Sequence, residues 1–106
     1  MPKDQNQNLI VFFNIMSKKG FYKILLYVES HENIHYNEIL KDAMKNNIVG
    51  SRASITIILN NLTDLGLLRR IVSQNRPIRT TYKVTNKGKI IIKNMKELQN
   101  NLFKEL

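Results

Sequence analysis

Between Ser51 and Val84 the spacing of apolar residues changes from a helical repeat to the alternation of strands, with a glycine at the junction. Ile55, Leu59 and Leu62 recur at intervals of four and three, so 52–65 reads as a helix that buries one face. Ser51 can accept a hydrogen bond from a free N–H of its first turn. Gly66 tolerates the left-handed conformation with which helices commonly end. The segments 67–72 and 80–84 then read as two strands, with Tyr82 and Val84 on one face. The polar stretch 73–79 between them contains Pro77, which has no N–H to give a sheet ladder. A helix leading directly into a hairpin is the framework on which the other elements must assemble.

Toward the N-terminus, Leu9, Phe12, Phe13 and Met16 fall at helical spacing within 5–17. Gly20 marks a break, and Ile24, Leu25 and Val28 continue the pattern in a second helix over 21–30. Residues 31–33 are turn-like, Ile34 and His35 suit a short strand, and 37–46 reads as a helix with Ile39, Leu40 and Ala43 inward. The loop 46–50 is long for a tight turn between helices. Thr85 or Asn86 can cap a last helix reaching about Lys104, in which Gly88 is a mild cost. Ile91, Met95, Leu98 and Leu102 form a short heptad seam suited to a partner helix. The expected class is mainly α with a small β-hairpin (α+β). We expect one domain over 1–106, with an N-terminal helix in 1–18, a core in 19–85 and a dimerisation helix in 86–106.

Charge is distributed unevenly. The 106 residues carry a net charge of +9. From 65 to 96 there is no acidic residue, yet that stretch holds nine lysines and arginines; the remainder is neutral. A field of one sign over a third of the chain attracts polyanions, nucleic acid first among them. The absence of cysteine excludes disulfides, thiolate metal sites and thiol sensing. No run approaches the ~20 apolar residues of a membrane span, and no signal peptide is visible, so we expect a cytoplasmic, nucleoid-associated protein. No cofactor, membrane partner or small-molecule effector is evident.

Three motifs carry a resemblance. ITIILNNLTDLGLLRR (55–70) looks like the recognition helix and exit strand of winged helix-turn-helix regulators. YKVTNKG (82–88) resembles their second wing strand and final-helix cap, and IHYNEIL (34–40) the entry to their supporting helix. In this order they are similar to the HxlR and MarR types. The resemblance implies a winged helix-turn-helix with extra N- and C-terminal helices, acting as a homodimeric, sequence-selective regulator on double-stranded DNA and not as an enzyme. It places 51–65 in the major groove and 73–79 on the backbone or minor groove.

On that reading the DNA-contacting set is Ser51, Arg52, Ala53, Ser54, Thr56, Ile57 and Asn60 on the helix, with Arg69, Arg70, Arg76, Arg79 and Lys83 on the hairpin. Arg52 can pair bidentately with guanine, Asn60 can read adenine, and Thr56 or Ile57 can touch a thymine methyl. Arg69 and Arg70 are adjacent on one strand, so at most one of them points at DNA. The dimer set is Leu9, Phe12, Phe13 and Met16 against Ile91, Met95, Leu98, Leu102 and Leu106. Two other uses of the same fold stay open: an architectural chromatin protein with weak sequence choice, and a winged module for protein assembly. His31-Glu32-Asn33-Ile34-His35 matches the H-E-x-x-H pattern of zinc proteases. That chemistry needs both histidines one turn apart on a helix; here they straddle an expected helix end, so we expect no metal.

Overall fold

A computed structural model describes residues 5–104. Five helices and three strands follow one another: α1 (Gln5–Met16), α2 (Phe21–Glu29), β1 (Ile34–His35), α3 (Tyr36–Lys45), α4 (Arg52–Asp64), β2 (Leu68–Val72), β3 (Thr80–Val84) and α5 (Asn86–Phe103). The strands form one antiparallel sheet in the order β1-β3-β2. The expected elements are present, with bounds displaced by a residue or so.

The sheet register sorts the basic side chains. Leu68 stands opposite Val84 and Arg70 opposite Tyr82, while Arg69 stands opposite Lys83. Because side chains alternate across a strand, Arg70 shares the face of buried Leu68, Tyr82 and Val84, and Arg69 and Lys83 share the other. The hydrophobic face meets Ile24, Leu25 and Val28 of α2, Ile39 and Ala43 of α3, and Ile55, Ile58, Leu59 and Leu62 of α4 in one core. No polar or charged residue is buried among the described residues. Each fully buried Ile or Leu contributes about 1.5–3 kcal/mol relative to an exposed one, so α2 and α4, with four buried side chains each, are firmly anchored.

Two turns fix how α4 sits. At the end of α3, Asn47 takes a φ of 55°. Its N–H donates to the Met44 carbonyl at 3.2 Å, and the Ile48 N–H donates to the Ala43 carbonyl at 2.9 Å. These paired bonds close the helix on a left-handed residue, and Val49 behind them is buried. The 46–50 loop is therefore anchored rather than slack, despite its length. At the end of α4 the same device recurs: Gly66, at φ 81°, donates to the Thr63 carbonyl at 2.9 Å, and Leu67 to that of Leu62 at 3.0 Å. Across the molecule the Tyr27 hydroxyl donates to the Asp42 carboxylate, tying α2 to α3. Burial, and then that carboxylate, push the Tyr27 phenol above its ordinary range.

The start of α5 is tied to the end of α4. The Thr85 hydroxyl donates to the Gly66 carbonyl at 2.6 Å and accepts from the Gly88 N–H at 2.9 Å. The Lys87 ammonium donates to the Leu65 carbonyl at 2.8 Å. Gly88 is not the mild liability that helix propensity suggests. A Cβ there would collide with the Leu67 carbonyl oxygen and lie 2.7 Å from Val84 Cγ1.

Beyond this junction α5 leaves the core. Its buried residues are Gly88 and Ile92, and every residue from 96 to 104 is exposed. The inward residue is thus Ile92, with Ile91 and Met95 half-buried beside it. Met16 is a correction to the expected dimer set: at 6% exposure it belongs to the chain's own core, because the end of α1 turns down onto α2. Leu106 lies outside the described residues. The radius of gyration is 15.1 Å, against about 13 Å for a spherical domain of this size.

Gly88→Ala is expected to destabilise the fold by about 1–3 kcal/mol, the cost of forcing a methyl into a packed site. Urea denaturation checks this. Helix propensity acting alone would give a stabilised variant instead.

Candidate nucleic-acid interface

A cleft of about 1090 Å3 opens between the first turn of α3, the outward face of α4 and the hairpin. Thr56 and Asn60 line it from α4, Tyr36 and Asn37 from α3, and Arg70, Ile78 and Arg79 from the hairpin. The 3.6-residue repeat of α4 explains its wall: with Ile55, Ile58, Leu59 and Leu62 in the core, Thr56 and Asn60 are left on the outward side. Strand alternation supplies the opposite wall, since Arg70 falls on the same face as Tyr82. Burial raises the Tyr82 phenol above its usual range, and the Arg70 guanidinium beside it works in the opposite direction.

The hairpin loop is ordered by its own bonds. The Ser73 N–H donates to the Arg79 carbonyl at 2.7 Å, and the Asn75 N–H to the Ser73 hydroxyl at 3.1 Å. This closes 73–79 and presents Arg76, Pro77, Ile78 and Arg79 at the tip, all of them exposed. Ile78 is 70% exposed, an unusual placing for a large apolar side chain.

Of the twelve residues nominated from sequence, the cleft gathers Thr56, Asn60, Arg70 and Arg79. Arg52, Ala53 and Ile57 are exposed on α4 but outside its lining. Ser51 and Ser54 cap the helix: the Ser51 oxygen accepts from the Ser54 N–H at 3.1 Å, and their hydroxyls bond each other at 2.9 Å. Arg69 and Lys83 face away on the other side of the sheet, and Arg76 stands at the tip beyond the cleft. Sequence reasoning missed Tyr36, Asn37 and Ile78. The first two begin a helix read as scaffold, and only its spatial nearness to α4 brings them into the cleft.

Electrostatically the surface is uncompensated. Among the described residues the ion pair is Lys96 with Glu29 at 3.7 Å, far along α5. No arginine is paired with a carboxylate among the described residues. Glu38 is the acid at the cleft, and its carboxylate accepts from the His35 N–H at 3.5 Å. The H-E-x-x-H match falls apart in three dimensions. His31 follows the end of α2, with Nδ1 2.8 Å from the Tyr27 carbonyl, whereas His35 is in β1. Among the described residues no three metal-ligating side chains gather. No helix among them is long and apolar enough to cross a membrane.

No family model matches the sequence, and no curated protein matches it either. Solved structures do. The chain superposes on a protein of Porphyromonas gingivalis W83, titled a transcriptional regulator of the MarR family, with a TM-score of 0.70, covering 100% of this chain and 99% of that one at 18% identity. It superposes on the reduced form of the transcriptional regulator YodB from B. subtilis with a TM-score of 0.72, covering 92% and 93% at 19% identity. A PadR-like transcription factor from Bacteroides fragilis gives 0.68, covering 90% and 91% at 18% identity. The fold is the winged helix. In this winged helix α3 and α4 are the helix pair, β2 and β3 the wing, and 73–79 its tip. The expected α+β class and the extra helices at both ends are present, and at these identities the likeness speaks for the fold alone.

Proposed function

We propose that this winged helix is a homodimeric transcription regulator that binds double-stranded DNA, with α4 in the major groove and the 73–79 wing on the backbone or minor groove. The observation that carries this reading is that Thr56 and Asn60 of α4 and Arg70 and Arg79 of the hairpin, neither arginine paired with a carboxylate among the described residues, line one cleft. A helix 13 residues long with four side chains in the core offers its remaining face as a rigid reading edge. Major-groove readout needs such a helix, about 12 Å of groove width being enough to admit it. Arg52, Ala53, Thr56, Ile57 and Asn60 are exposed on that face, with Asp64 at its C-terminal end. Ile57, 56% exposed, suits the methyl-lined floor that thymines offer. Arg76 and Arg79 supply phosphate or minor-groove contacts, while Arg69 and Lys83, turned away, add field more than contact.

The homodimer is supported by apolar surface left uncovered in one chain. Leu9 and Phe13 of α1 and Leu98 and Leu102 of α5 are each more than 40% exposed. Tyr22, Met95, Leu98 and Leu102 line a shallow apolar groove of about 240 Å3 between α2 and α5. Residues 96–104 at the end of α5 are all exposed, and an isolated helix of that length is marginal in water. A second copy laying its α1 and α5 against this surface, with Phe12 and Ile91 at its edge, would cover it. A twofold dimer would set the two α4 helices on half-sites about 10 bp apart.

Two measurements test the reading. In binding titrations, affinity is expected to fall steeply with salt, by a slope of about −0.9 for each phosphate neutralised. Arg52→Ala is expected to cost about 1–3 kcal/mol of discrimination at one base position, whereas Arg79→Ala weakens all sequences alike and lowers the slope by about 1. An Arg52→Ala variant with undiminished sequence preference would contradict the placement of α4. Sedimentation equilibrium at micromolar concentration is expected to give a dimer, and a monomer there would contradict the α1–α5 interface.

A further inference from the structure

Two threonines on α4 make different bonds. The Thr63 hydroxyl donates back to the Leu59 carbonyl one turn earlier, at 2.7 Å. Threonine in a helix commonly makes that bond, and it competes with the alternative rotamer. The Thr56 hydroxyl does otherwise: it lies 2.9 Å from the Tyr36 hydroxyl, the first residue of α3, twenty positions earlier. Thr56 is exposed and Tyr36 half-buried, and both line the cleft beside Asn60 and Arg70.

This bond contributes little to holding α3 against α4. The contact between the two helices is made by core side chains, Ile39 and Ala43 on one and Ile55 and Leu59 on the other. A hydroxyl pair in contact with water adds little to that. What the bond does fix is a side-chain torsion. Thr56 carries its hydroxyl and its methyl on the same carbon, so a hydroxyl committed to Tyr36 leaves the methyl one staggered direction. On a free helix surface the side chain would divide its time between rotamers. Water leaves this surface when a duplex covers it, and the bond between the hydroxyls then strengthens.

We infer that Tyr36 is a positioning residue for base readout: its hydroxyl locks the Thr56 rotamer, and the fixed Thr56 methyl recognises the 5-methyl of one thymine in each half-site. The inference rests on the proposed DNA-binding reading and names one specificity contact within it. The thymine methyl is the base feature that an apolar threonine methyl can read.

The experiment uses the full chain and duplexes that the wild type selects from random DNA. In each duplex every thymidine is replaced in turn by deoxyuridine, which differs only in lacking the methyl. At one position per half-site the wild type is expected to prefer thymine over uracil, by roughly fivefold on the scale of a single base contact. Tyr36→Phe keeps the ring and removes the hydroxyl, and it is expected to bring that ratio close to one. Thr56→Ser keeps the hydroxyl and removes the methyl, and it is expected to bring the same ratio close to one, with the double variant no worse than either single one. A Tyr36→Phe protein with an intact ratio overturns the inference. So does one weakened equally on the thymine and uracil duplexes, because a merely structural role would do that. A wild type that selects sequences but shows no such ratio anywhere overturns the inference alone. A wild type that selects no sequence overturns the regulator reading beneath it.

Discussion

Everything this fold offers on its surface depends on how α4 is seated. Ile55, Ile58, Leu59 and Leu62 commit one side of the helix to the core, so the other side is presented as a fixed edge. The cost of moving it is high: exposing a single one of these side chains would lose about 1.5–3 kcal/mol, a sizeable part of the stability of a small domain. Both ends of the helix are pinned as well. Ser51 caps its start, and at its end the Gly66 N–H donates to the Thr63 carbonyl and the Leu67 N–H to that of Leu62.

The wing inherits its position from the same arrangement. Leu67 and Leu68 continue from the end of α4 into the sheet, and Thr85 returns from β3 to hydrogen-bond the Gly66 carbonyl. The hairpin is thus fastened at its base to the last residues of the helix it accompanies. Strand register then decides which charges face the cleft: Arg70 does because it pairs with Tyr82, and Arg69 does not because it pairs with Lys83. Like charges opposite each other on the outer face are mildly unfavourable. The excess charge of the chain is therefore divided between a directed part at the cleft and a diffuse part around it.

Much of this was legible in the sequence, for identifiable reasons. Helices and strands with one buried face announce themselves by period, and α4, β2 and β3 carry the clearest periods in the chain. Gly66 and Thr85 were legible because terminating and capping chemistry is local. What could not be read was whatever depends on neighbours distant in sequence. Gly88 looked like a small cost until the Leu67 carbonyl was seen against it. Met16 belongs to the same apolar stripe as Leu9 and Phe13, and only the fold of α1 onto α2 separates it from them. Tyr36 gave no signal, since its importance lies in touching Thr56 twenty residues away.

The competing physical account assigns polyanion attraction to the lysines of α5, with the α4–wing cleft incidental. Backbone amide chemical shifts, followed while a selected duplex is titrated into the protein, separate the two most directly. Shifts concentrated in the first half of α4, at Tyr36 and Asn37, and in 73–79 are the expected result. Shifts confined to Lys89, Lys93 and their neighbours on α5, with α4 unmoved, would contradict the account.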